Sequence, residues 1–177
     1  MSFDHVRSAG LRRLVELIQP PQFPIATGSP EAWTHMEHEH GIVIPDDYKE
    51  YIGVYGAGAF YGFFEVLSPF SNRNGLFSEH ARYRELYRPL VKEYALFPDR
   101  GGLLAVGGND NGDVLFWLTE GNPEQWPLVF TDFWDFERFD KGLCDFLAEW
   151  FSGQRTPVLV ADLNIMERDV PPFASTV

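Results

Sequence analysis

Three short apolar runs, Leu103 to Gly107, Asp113 to Thr119 and Pro127 to Thr131, are separated by Asn109-Asp110-Asn111-Gly112 and by Glu120-Gly121-Asn122-Pro123. Nothing else in the chain restricts its fold as much. Gly adopts positive φ without steric cost and Asn tolerates it, so short connections of this kind reverse the chain and pair the flanking strands antiparallel. The spacing predicts a three-stranded meander, around which the helices have to be arranged.

The helical signals lie on either side of that meander. From Asp4 to Ile18, Leu11, Leu14, Val15 and Ile18 recur at i, i+3, i+4 and i+7, an amphipathic helix stopped by Pro20-Pro21. A Pro-rich connector, Pro20 to Gly28, leads to Ser29-Pro30-Glu31, which combines an N-cap Ser, Pro at the first helical position and an early acid. This second helix is expected to end at Gly41. Pro45-Asp46-Asp47 opens a third, with Tyr48, Tyr51, Ile52 and Tyr55 on one face and Gly56-Ala57-Gly58 as its stop. Phe60 to Leu67 reads as a buried strand, in which Gly62 suggests a bulge or a close backbone approach. The helical period returns from Ser78 to Tyr94, where Pro89 is expected to break it near Arg88. A last helix spans Asp140 to Ser152, with Leu143, Phe146, Leu147 and Trp150 at helical spacing and Gly153 as its stop. Pro157 to Leu163 is expected to add an edge strand or a short helix, and the Pro171-Pro172 tail to be loosely held. Helices, then strands, then a helix predict a single α+β domain with a mainly antiparallel sheet and helices packed on one side.

The composition, 45% hydrophobic and 23% charged over 177 residues, excludes a disordered or fibrous chain and allows one full core. A net charge of -12 gives the surface a field that repels phosphate backbones, so nucleic acid is not expected as a ligand. The same field favours encounter with a basic protein. Aromatic residues, at 16%, are assigned mainly to the core, although large rigid rings are also enriched at protein interfaces. Cys144 is the only cysteine, so no intramolecular disulfide can form, and the thiol lies within an apolar helical pattern. With no basic-then-apolar leader at Met1 and no apolar stretch near the length of about 20 residues that spans a bilayer, a cytoplasmic chain without membrane contact is expected.

Motifs that carry chemistry are weak. His35-Met36-Glu37-His38-Glu39-His40 crowds three imidazoles, but no His pair has the i, i+4 offset of a zincin helix, and a solvated face is preferred to a metal site. Asn109 to Asp113 superficially resembles a calcium loop, yet its Gly is misplaced and a hairpin turn is the better reading. Gly101-Gly102 and Gly107-Gly108 form no phosphate cradle, and no Ser lies in G-x-S-x-G. No catalytic residue, cofactor or metal ligand is therefore assigned.

Two stretches together resemble the SUKH (Smi/Knr-like) superfamily. One is Trp33-x-x-x-Glu37-x-x-x-Gly41-Ile42-x-Ile44-Pro45-x-Asp47-Tyr48-Lys49, continuing into Tyr55-Gly56-Ala57-Gly58. The other is Gly107-Gly108-Asn109-Asp110-Asn111-Gly112-Asp113 leading into Phe116-Trp117, then Trp126-Pro127 and a closing helix through Phe146-Leu147 to Gly153. The resemblance divides the chain into an N-terminal helix and Pro-rich connector (1–28), a SUKH-like core (29–153) and a C-terminal extension of the same domain (154–177). These residues are fold determinants and mark no reactive site.

The resemblance implies a bacterial, non-enzymatic immunity protein, encoded beside a polymorphic toxin whose active site it blocks. Such toxins are often nucleases, and nucleases are commonly basic, which suits the acidic balance. Acids in the turns and strand edges, namely Asp110, Asn111 beside it, Asp113, Glu120, Glu124, Asp132, Asp135 and Glu137, are taken as partner-binding candidates. The alternative is the eukaryotic branch of the superfamily, which resembles regulatory scaffolds of cell-wall signalling. Oligomeric state is left open.

Overall fold

The computed structural model of the chain describes residues 6–87, 93–160, 165–167 and 169–176. Helices α1 (Ala9–Leu17), α2 (Pro30–His40) and α3 (Asp46–Tyr55) precede strands β1 (Gly58–Phe60) and β2 (Phe64–Val66). Helix α4 (Leu76–Tyr87) then leads to β3 (Leu103–Asn109), β4 (Val114–Leu118), β5 (Leu128–Thr131) and β6 (Phe136–Phe139). Helix α5 (Leu143–Phe151) and strand β7 (Phe173–Ser175) close the chain. Ser29 caps α2 by accepting from the Ala32 amide, and Gly41 ends it at φ 62°. The expected break at Arg88 and Pro89, residues Asp4 and His5, and the stretch from Ala161 to Asn164 lie outside the described residues.

The sheet is antiparallel throughout, in the order β6-β5-β4-β3-β2-β1-β7. Two expectations are corrected here. Phe60 to Leu67 is a hairpin rather than one strand, because Tyr61 (φ 51°) and Gly62 (φ 58°) are both left-handed and turn the chain back on itself. The tail is held where it was expected to be loose: Phe173–Ser175 pairs with β1, and the Phe173 ring packs on Tyr55 and Phe60. Strand β6 was not anticipated either.

Strand β4 is buried along both faces, so alternate residues meet different helices. Trp117 meets Tyr48 of α3, while Phe116 meets Tyr87 of α4. Trp150 of α5 packs on Phe64 and Phe130, and α5 in turn packs against α1 and α3. The main helical layer is thus α1, α3 and α5 on one face, with α4 added on the other. Asp47 fixes α5 to α3. Gly142 offers no side-chain cap, and the Asp47 carboxylate accepts instead from the Cys144 amide at 3.2 Å.

Candidate functional site

Strands β3 and β5 run in the same direction on either side of β4, so the β3–β4 and β5–β6 turns emerge at one end of the sheet. The first turn is built on Asn109, whose side-chain oxygen accepts from the Asn111 and Asp113 amides at 3.0 Å each. Its amide group donates to the Asp113 carboxylate at 2.7 Å, and Gly112 supplies φ 92°. Asp110 and Asn111 are left exposed at the tip. Asp113 is not: only 7% of its surface remains exposed, and burial followed by the nearby Asp132 charge holds its pKa above the usual carboxylate range.

The second turn, Asp132 to Asp135, is fixed in a similar way. The Thr131 hydroxyl accepts from the Phe133 amide at 3.2 Å, and Asp132 Oδ1 accepts from the Trp134 and Asp135 amides at 3.0 and 2.9 Å. Phe133 adopts φ 81°, unusual for a residue with a Cβ, and its ring stacks on Tyr87 with centroids 4.2 Å apart. Tyr87 also donates its hydroxyl to the Gly112 carbonyl at 3.3 Å, so one aromatic residue of α4 ties the two turns together. With Phe133 turned inward, Trp134 is turned outward and is 81% exposed. Among the described residues, no ion pair engages Asp110, Asp132 or Asp135.

The structure therefore brings together Asp110, Asn111, Asp113, Asp132 and Asp135, and adds Trp134. The remaining candidates lie elsewhere. Glu120 and Glu124 sit at the opposite end, in the β4–β5 connection, where Glu124 accepts from the Asp46 amide at 2.9 Å. Glu137 is on the edge strand β6, where it accepts from the Val158 amide at 2.6 Å and approaches Arg155. Sequence reasoning did not single out Trp134; the available signal was a tryptophan bracketed by Asp132 and Asp135 directly after a strand.

The other motifs are held in structural roles. Cys144 is buried, and burial, with Asp47 nearby, pushes its thiol well above the ordinary value, which keeps it out of the reactive thiolate form. In α2, His35 stands 3.9 Å from Glu39, and His40 stacks on Phe77. Among the described residues no three His, Cys, Asp or Glu gather into a group that could hold a metal ion, and no helix is long and apolar enough to cross a membrane.

A family model described as SUKH_6, SMI1-KNR4 cell-wall, matches residues 30–147. Comparison with curated proteins and with solved structures returns no match.

Proposed function

We propose, for a chain that belongs to the SUKH_6 (SMI1-KNR4 cell-wall) family, that it is an immunity protein which binds a basic toxin domain through this acidic sheet end and blocks its active site. The observation that carries the reading is Trp134, 81% exposed on a turn that Asp132, Thr131 and Tyr87 hold in place. An exposed aromatic on a fixed turn, flanked by Asp132 and Asp135, combines a desolvating anchor with charges that steer a basic partner. Non-enzymatic action and a cytoplasmic site of binding are parts of the same proposal.

The test is capture of the basic toxin domain encoded beside this chain by the tagged protein, at low and high salt. Wild type retains the domain stoichiometrically and releases more of it at high salt, as expected where exposed charges are screened. The doubly reversed variant Asp110→Lys, Asp135→Lys, which removes no hydrogen bond of either turn, binds it more slowly. Equal association rates for the two proteins would refute the proposal. The cell-wall wording of the family description favours a second reading, a regulatory scaffold, which predicts capture of several endogenous proteins and no toxin domain.

A further inference from the structure

Residues paired in register across the sheet share a face, so Ala59 of β1, Glu65 of β2 and Gly108 of β3 form a row on the side where α4 packs. Ala59 and Gly108 carry almost no side chain, which leaves a hollow with Glu65 as the long side chain on its floor. The hollow is a cavity of about 350 Å³, walled by Glu79, Arg82 and Tyr83 of α4 and by Arg73, with Asp110 at its margin. Glu65 is half-buried, and its carboxylate accepts from two neutral donors, the Asn74 side-chain amide at 2.9 Å and the Thr176 hydroxyl at 3.0 Å. No ion pair among the described residues neutralises it.

The charges around the cavity decide what it takes. Arg82 is already neutralised, with its guanidinium 2.6 Å from Glu79 and lying over the Tyr83 ring. Arg73 is exposed at the rim. Three carboxylates, Glu65, Glu79 and Asp110, against two guanidiniums leave the cavity negative; of the two without a cationic partner among the described residues, Asp110 is at the margin and Glu65 at the bottom. A carboxylate offers about four lone-pair sites, of which Glu65 uses two internally, so its free sites suit a donor-rich cation.

We propose that the cavity receives the guanidinium or ammonium head of an arginine or lysine side chain on the protein partner. This rests on the reading of the acidic sheet end as the partner surface. Continuity argues for a protein source: Asp110 belongs to the cavity wall and to the β3–β4 turn, and Gly112 of that turn lies against Phe133, next to Trp134. A protein seated on Trp134 and extending over the β3–β4 turn would meet the cavity at Asp110.

The experiment titrates the full-length, isotope-labelled chain with acetyl-arginine amide and, separately, with acetyl-glutamate amide, following backbone amides by NMR. The arginine probe shifts Gly108, Asn109 and Asp110 in a saturable way and the glutamate probe does not. Glu65→Gln weakens the arginine probe at least about tenfold, the loss of one charge-assisted contact. Arg73→Glu strengthens it, and Trp134→Ala leaves it unchanged. Preference for the glutamate probe, shifts spread evenly over surface acids, or unchanged affinity in a folded Glu65→Gln protein would overturn the proposal. If Glu65→Gln does not fold, an Arg73→Glu protein that binds the arginine probe no better overturns it alone. Excess arginine probe also competes with a captured toxin domain; capture that is indifferent to the probe sinks the cavity proposal while leaving the Trp134 surface standing, whereas failed capture sinks the surface itself.

Discussion

Phe133 is a residue with a Cβ held at φ 81°, and two substitutions there separate backbone strain from ring packing. The left-handed region costs a residue with a Cβ about 1–2 kcal/mol, which glycine escapes. Glycine in turn gives the unfolded chain more freedom, which favours alanine by about 0.4–1 kcal/mol at ordinary positions. The difference leaves Phe133→Gly more stable than Phe133→Ala by about 0.5–1 kcal/mol, the reverse of the usual order. Both variants lose the half-buried ring, worth about 1–1.5 kcal/mol of burial, and its stack on Tyr87, worth about 1 kcal/mol. Alanine should therefore cost about 2–2.5 kcal/mol relative to wild type, and glycine about 1–2 kcal/mol. For a domain of this size each kcal/mol moves the Tm by about 2–4 °C, so denaturant and thermal unfolding resolve the order. An alanine variant as stable as the glycine variant, or more so, would refute the argument that strain is stored in this turn.

Other perturbations follow from the titrating groups. Asp113 has a raised pKa, so its ionisation costs folding stability, and that cost appears as pH rises through the folded value; Asp113→Asn should be at least as stable as wild type at neutral pH and lose the advantage in acid, as read by Tm against pH. Glu50 has the opposite sign. Burial opposes its charge, but the Ser8 amide and the Arg7 side chain and amide outweigh it and lower the pKa, so its contribution is present above the ordinary carboxylate range and fades in acid; Glu50→Gln should destabilise most at neutral pH. Buried His80 accepts from the Ala105 amide at 3.2 Å through Nδ1 and faces the Phe97 carbonyl at 2.8 Å through Nε2, which fixes the tautomer protonated at Nε2. Burial lowers its pKa, so NMR should find it titrating below a free imidazole, and stability should fall as the pH drops below the range where a free imidazole titrates.

The elements with local punctuation were legible in the sequence, and those made by distant pairing were not. Ser29-Pro30 and Gly41 bound α2 as read, and the β3–β4 turn follows from Asn109 and Gly112. Strand β7 is three residues in a proline-rich tail, held because β1 offers it an edge, and no local pattern records that. The turn at Tyr61 was missed because a left-handed tyrosine is set by its surroundings and not by its propensity. At the candidate site the acids were visible, but which of them are structural depends on partners distant in the chain: Glu137 answers to Val158 and Glu124 to Asp46. That Phe133 points inward and Trp134 outward is decided by Tyr87 on another element.

The most direct test of the proposed function is the affinity of a basic toxin domain, if one is encoded beside this chain as proposed, for wild type and for Trp134→Ala, measured calorimetrically beside the Tm of each free protein. The side chain is 81% exposed, so the free protein should keep its Tm, while loss of the aromatic anchor proposed for the partner surface, about 2 kcal/mol or more, should weaken binding about 30-fold or more. Binding within about twofold of wild type, the range of an ordinary surface substitution, would contradict the account.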